Sequence, residues 1–250
     1  MQAINLGGSL SLTEIARTVG LPYGTASRLV MTLVHEGMIE KEPDRKKYRP
    51  TLLVQSLSSG YQDFSRLVAL ARRPIVTLTE RHGCPVALST RLGLNMIVRD
   101  CTHTLSHFTL SNYYPGFIYP MIHSAAGLVQ LAFSNEHERD QSRLALEQSP
   151  GVNSSDLSSI SEPALAAIRQ RGFAIRSRNR FTTPEGKNSA IAAPILHNGQ
   201  LTGTVALIFL ASTVRMDKAV ELYAQDTMGT AREIGHELDA NEPVAPLLSA

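Results

Sequence analysis

A chain of 250 residues can build one large domain or two modest ones, and a hydrophobic content of 43% excludes a mostly disordered polymer. Its longest apolar runs, such as Leu201 to Leu210, are about half the roughly 20 residues that a membrane-spanning helix needs. The opening MQAINLGGSL has neither a basic start nor a long apolar core, so no signal peptide is read there. Two cysteines, Cys84 and Cys101, cannot staple a chain this long, and the reducing cytoplasm is the expected compartment. Net charge is only +2, but it is unevenly placed: residues 1–50 carry seven bases against five acids, and the rest of the chain balances. A local excess suits contact with a polyanion through one small surface. On charge alone, a solvated charged face is the competing reading.

Ser11-Leu12-Thr13-Glu14 reads as a capping box, a hydroxyl for free amides with a carboxylate three residues on to reach back. Leu12, Ile15, Ala16 and Val19 then share one helical face, and Gly20 ends the helix. Leu21 is expected to plug the turn, and Pro22 to open a second helix that runs to Glu36 and buries Ala26, Leu29, Val30 and Leu33. Ala16 is small enough for a steep helix crossing, with Ile15, Val19, Leu21, Ala26 and Leu29 as the shared core. That spacing is a helix-turn-helix. The outward residues are Tyr23, Gly24, Thr25, Ser27, Arg28, Thr32 and His35. Tyr23, Thr25, Ser27, Arg28 and Thr32 are the candidate DNA contacts, with Arg28 able to hold a guanine through two hydrogen bonds.

Met38 to Glu42 alternates like a strand, Pro43-Asp44-Arg45-Lys46 turns, and Lys47 to Arg49 returns. Arg45, Lys46 and Lys47 would meet backbone phosphates, which position a protein on DNA without reading sequence. Together these elements predict a winged helix-turn-helix and a double-stranded DNA operator as partner. Before Ser11 the chain is short and broken by Gly7-Gly8, so Met1 to Leu6 is expected to give little more than one helical turn.

Leu52, Leu53, Leu57, Tyr61 and Phe64 form an apolar stripe that reads as a linker helix. A second helical pattern runs from Leu67 to Arg81, where Pro74 is expected to kink the helix or start a new one. Short strands follow at Pro85 to Thr90, Leu94 to Arg99 and Leu105 to Leu110, then helices at Ser124 to Phe133, Glu136 to Glu147 and Glu162 to Arg171. Phe173 to Arg176 reads as a strand, and Ile191 to Leu210 as a hairpin turning at His197-Asn198-Gly199. A last helix covers Asp217 to Leu238. The expected class is α+β with an antiparallel sheet. The expected divisions are a DNA-binding domain over 1–50, a linker helix over 51–72, a second domain over 73–240, and a disordered tail over 241–250.

No hydrolase elbow, phosphate loop or dinucleotide fingerprint occurs. Cys101, His103, His107 and His123 lack the spacing of a metal site, and Ser124 before Ala-Ala-Gly reads as a helix cap rather than a nucleophile. Neither an enzyme nor a bound cofactor or metal is expected.

LTEIARTVGLPYGTASRLVMTLVHEGMIEKEPDRKKYRPT resembles the DNA-binding module of the IclR-type bacterial transcriptional regulators. SAAGLVQLAF (124–133), AIRQRGFAI (167–175) and AIAAPILHNGQLTGTVAL (190–207) look like the successive blocks of that family's effector domain. Arg99-Asp100-Cys101-Thr102-His103 and KYRPTLLVQSLSSG look like the branch that activates phenylpropionate and related aromatic-acid operons.

The resemblance implies a GAF-like effector domain joined by the linker helix, a homodimer or tetramer, and RNA polymerase as a further partner if the protein activates. By position it carries effector contacts to Phe108, Ala125, Ala126, Arg180, Asn188, Ser189, Ala190, Leu207 and Phe209. Ala190, Leu207 and Phe209 are apolar where relatives that bind small oxo-acids are often polar, which points to a larger, flatter acid. Its carboxylate would need a partner, for which Arg99, Arg180, His123 and Ser189 are the candidates. One departure is the first helix, longer in the family. It motivates an alternative: a ligand-sensing or dimerisation protein whose DNA-binding module is defective.

Overall fold

A computed structural model describes residues 1–59, 65–106, 114–179 and 186–240. The chain forms two compact units, residues 1–64 and 65–250. Among the described residues no helix is long and apolar enough to cross a membrane.

The first unit runs α1 (Gln2–Gly7), β1 (Leu10–Ser11), α2 (Leu12–Val19), α3 (Tyr23–His35), β2 (Ile39–Lys41) and β3 (Lys47–Pro50). The capping box at α2 is complete. The Ser11 amide donates to Glu14 Oε2 at 2.7 Å, and the Glu14 amide returns a bond to Ser11 Oγ at 3.3 Å. The Ser11 amide and hydroxyl hold the Glu14 carboxyl below its ordinary range. The wing is three-stranded rather than two-stranded, because β1 pairs with β3 on the side away from β2.

The core of this unit is small: Ile4, Ile15, Val30 and Ile39 pack together, with Leu33, Val34 and Tyr48 at the edge. Three residues expected in that core are not there. Val19, Leu21 and Leu29 are 44%, 37% and 52% exposed. The reason is angular: α3 turns Ala26 and Val30 inward, and at about 100° per residue Leu29 falls well to one side of them. The short first helix, by contrast, does its packing. Ile4 is 1% exposed and touches both later helices' buried faces through the shared cluster. After β3 come a 3-10 turn (Leu52–Gln55), where the linker helix was expected to begin, and α4 (Ser56–Ser59). Tyr61 and Phe64 lie outside the described residues.

In the second unit α5 (Ser65–His82) holds Pro74 inside one continuous helix. Then follow β4 (Val86–Leu92), β5 (Asn95–Cys101), β6 (Ile118–Pro120), α6 (Ala125–Phe133), α7 (Glu136–Glu147), α8 (Ser154–Ser159) and α9 (Glu162–Arg171). The remaining elements are β7 (Ala174–Asn179), β8 (Asn188–His197), β9 (Gln200–Leu210) and α10 (Met216–Ala240). Six antiparallel strands form one sheet in the order β6-β5-β4-β9-β8-β7. Of the expected strand at Leu105 to Leu110, Leu105 ends a 3-10 turn and 107–110 lie outside the described residues. The expected tail at 241–250 also lies outside them.

The β8–β9 hairpin turns at Asn198 and Gly199, both with positive φ (50° and 74°), the backbone of a tight primed turn. Strand alternation sends Ala192, Ala206 and Ile208 into the cluster around α6. It sends Phe209 to the other face, where its ring lies 5.6 Å from Tyr223 of α10. Helices therefore cover both faces. On the second face α5 and α10 are tied together by Arg81 and His82, which meet Asp226 at 2.7 and 2.8 Å. Burial opposes ionisation of Asp226, but the hydrogen bonds from Arg81 and His82 outweigh it and hold the carboxyl below its ordinary range.

Ile4→Ala truncates a residue, 1% exposed, that α1 places in the first core. The expected loss is about 2–4 kcal/mol in that unit. Hydrogen exchange should show faster exchange of α2 and α3 amides and unchanged protection in the β8–β9 hairpin.

Candidate functional site

Opposite the buried Ala26–Val30 stripe, α3 presents Gly24, Arg28, Met31 and His35 to solvent. Tyr23 stands exposed at its amino end; Thr25 and Ser27 are half-buried on its flanks. Thr32 is exposed, and its hydroxyl donates back to the Arg28 carbonyl at 3.1 Å, leaving its oxygen to accept. Met31, 57% exposed, shares this face and was not among the sequence candidates. Methionine reads as core in a sequence, and only its angular distance from Val30 would have placed it outside.

The three wing cations differ. Arg45 and Lys46 are exposed in the turn, whereas Lys47 is half-buried in β3, opposite Ser11 and close enough to lower the Glu14 carboxyl further. Arg49 is committed to Glu40 at 2.6 Å. Exposed positive charge outside that pair therefore lies at Arg45 and Lys46 in the turn and at Lys41 on β2.

The candidate effector residues do not form one set. Ala125 and Ala126 open α6, where Ser124 Oγ accepts the Gly127 amide at 3.0 Å. The preceding 3-10 turn (Met121–His123) is pressed against this helix. A Cβ on Gly127 would lie 2.0 Å from the Met121 carbonyl oxygen, so only glycine permits the approach. Ala190 packs against the same cluster, and Asn188, two residues earlier on β8, is on the same face. Ser189, Leu207 and Phe209 are on the opposite face, beneath α10, and Ser189 Oγ accepts the Arg178 amide at 3.2 Å. Period-two alternation divides these neighbours in sequence. Arg99 is the extra residue of a bulge in β5 and is half-buried. Phe108 and Arg180 lie outside the described residues.

Next to the amino end of α6 is a charged corner that sequence reading only partly found. His123 Nδ1 lies 3.4 Å from Asp156 Oδ1, and Arg176 Nη2 lies 3.8 Å from the same oxygen while donating to the Ile122 carbonyl at 3.0 Å. Asp156 is 7% exposed and also caps α8 through Asn153. The Asn-Ser-Ser-Asp spacing at 153–156 is a capping-box signal that could have located α8; nothing in the sequence signals the meeting of Asp156 with His123 and Arg176. Tyr119 closes the apolar side of this region with its hydroxyl on Ser89 Oγ at 2.9 Å, and burial pushes that phenol up to about 12.

A winged helix-turn-helix followed by a separate sheet domain clothed in helices defines a two-part DNA-binding type of protein. The IclR helix-turn-helix domain matches residues 4–43. The chain is 26% identical over 241 residues to the HTH-type transcriptional regulator BhcR of Paracoccus denitrificans, covering 94% of this chain and 82% of BhcR. It is 29% identical over 136 residues to TsaQ1/TsaQ2 of Comamonas testosteroni, a match that spans 54% of this chain and only 49% of that regulator. Its fold matches an IclR homologue of Microbacterium hydrocarbonoxydans, solved with 4-hydroxybenzoate, at a TM-score of 0.69 and 21% identity, over 93% of this chain and 92% of the other. Residues 4–43 thus carry an IclR helix-turn-helix domain, and the chain shares its fold with the Thermotoga maritima IclR at a TM-score of 0.67 and 22% identity, over 93% of this chain and 92% of the other.

Cys101 Sγ sits 3.0 Å from His103 Nδ1, but burial pushes the thiol up to about 11, and burial likewise raises Cys84. Both cysteines are buried. A thiol so far above neutral pH is a weak nucleophile. Iodoacetamide at pH 8 should therefore leave both cysteines unmodified in the folded protein and modify both in urea, as read by intact mass.

Proposed function

We propose that the protein binds an operator through α3 and the wing, and that an aromatic monocarboxylate seated at the amino end of α6 governs that binding. The divisions proposed are a reader over 1–50, a connector over 51–72 and an effector and oligomerisation domain over 73–240. The protein works as a homodimer or tetramer, because paired half-sites multiply affinity and specificity. It acts in the cytoplasm on a catabolic operon, and contacts RNA polymerase if its role is activation.

The observation that carries the DNA half is the composition of the exposed α3 face. Arg28 stands free of the core between small neighbours that let the helix approach bases. The alternative of a defective reader is not favoured: α1 is as short as expected, six residues, but it still seats Ile4 in the core. The ligand half is supported by the chemistry around α6. Its first turn offers backbone amides beside Arg176 and His123, and Phe117, Tyr119 and Ala190 supply an apolar, aromatic wall. The fold neighbour that holds 4-hydroxybenzoate makes aromatic acids the first class to try.

Arg28→Ala should weaken binding to an operator selected from random DNA by about 1–3 kcal/mol and relax its sequence preference. Lys46→Ala should weaken all sequences alike and lower the slope of log affinity against log salt by about one. Fluorescence anisotropy at several salt concentrations separates the two, and identical behaviour of both variants would refute the division of roles. For the effector, calorimetric titration with hydroxyphenylpropionate, cinnamate and benzoate should give heat with at least one. Binding to glyoxylate alone would refute the aromatic assignment.

A further inference from the structure

A cavity of about 420 Å³ lies in the second unit, away from the amino end of α6. Phe133, at the other end of that helix, forms part of its wall, about 12 Å of helix from Ala125. The volume is that of a small-molecule pocket. The sequence places the opening. β7 starts at Ala174 opposite Ala192, so among the described residues β8 beyond that pair has an edge with no strand beside it. Pro194 on this edge has no amide to leave unsatisfied. The carboxyl end of α9 and the face of α10 stand over it.

The polar groups in the wall fall into two kinds. Arg169 is already committed: it donates to the Ala132 carbonyl at 3.1 Å and pairs with Glu162. Asp239 is committed to the hairpin turn, accepting the Asn198 amide at 2.9 Å with His197 at 3.6 Å. Arg232 and His236, one turn apart on α10, have no hydrogen bond or ion pair among the described residues, and both line the cavity. Their neighbour Glu233 is not in this wall; it lines the groove between α10 and Arg81 of α5, and a shallower one that it shares with Arg232, His236 and Glu237. The apolar remainder is Phe133, Pro194, Leu196 and Met228.

We infer that this cavity is a second small-molecule site, for a monocarboxylate with a flat apolar body. Arg232 takes the carboxylate, because its planar fork matches two carboxylate oxygens, and His236 donates to the same group from one turn on. The body lies between the Phe133 ring and the Met228 thioether, over Pro194 and Leu196. Such a ligand would gain from leaving water on its ring while its charge met donors that now face solvent. This assignment does not depend on the site at the amino end of α6.

The two places carry separate reporters, Met228 in this wall and Met121 against the first turn of α6. The full chain is prepared with 13C-methyl methionine and titrated with 3-phenylpropionate and, as a neutral control, 3-phenylpropanamide. The Met228 methyl should shift saturably with the acid, with a midpoint near or below about 1 mM. The amide should bind about tenfold more weakly, as should the acid to Arg232→Gln or His236→Gln, the loss of one charge-assisted hydrogen bond. Both variants are at exposed positions, and the amide control needs no variant at all. An unmoved Met228, or equal response to acid and amide, overturns the inference. So does a Met228 signal that changes only with protein concentration, which would mark a subunit contact. A response of Met121 alone would support the α6 amino-end site and overturn this one.

Discussion

The register of the β8–β9 hairpin decides what every other element of the second unit can pack against. Ten residue pairs run from Asn188 opposite Leu210 to His197 opposite Gln200, with one irregularity between Ile195 and Leu196. Each residue is thereby assigned to the α6 face or to the α5–α10 face. The α6 side receives small residues, Ala190, Ala192 and Ala206, and a helix can press closely on small residues. That explains how α6 can be buried along nearly its whole length, from Ala125 to Ala132, with no polar face. The opposite side receives Phe209, large enough to reach Tyr223. A slip of one residue at the turn would exchange these two sets and leave neither helix a surface that fits.

Features set by neighbours in sequence were legible before any coordinates. The capping box at Ser11, the bounds of α7, and the Asn198-Gly199 turn each depend on residues within a few positions of one another. What depended on direction was less so. Ala190, Leu207 and Phe209 look alike as apolar positions on paired strands, yet Leu207 and Phe209 point away from Ala190. Leu29 and Met31 have the composition of core residues, and only their angle to Val30 puts them in solvent. The short elements α8 and β6 escaped periodicity because six and three residues do not complete a pattern.

The first unit shows the opposite economy. Its core rests on a few side chains drawn from separate elements: Ile4 from α1, Ile15 from α2, Val30 from α3 and Ile39 from β2. A domain this small buries a low fraction of its surface and is correspondingly marginal. No element can leave without opening a cavity that the others line. The proposed placement of Arg28 over DNA would consequently be a property of the whole unit. A helix of only six residues, too short to be stable alone, matters because it supplies one of those four isoleucines and valines.

At the amino end of α6 the charge balance constrains what the proposed ligand must do. Asp156 already faces both His123 and Arg176, so this corner is not an open cationic pocket. A ligand carboxylate arriving there would compete with Asp156 for the same side chains. The donors for which Asp156 does not compete are the backbone amides of the first turn of α6, and one of these is already taken by Ser124. Affinity at this end would then come chiefly from the buried ring against Phe117 and Tyr119, with the amides fixing its orientation. A small oxo-acid, which is nearly all charge, would give up its hydration there and gain no apolar burial in return. A flat aromatic acid would lose the same hydration but recover free energy on its ring, and that exchange is what the proposed site requires.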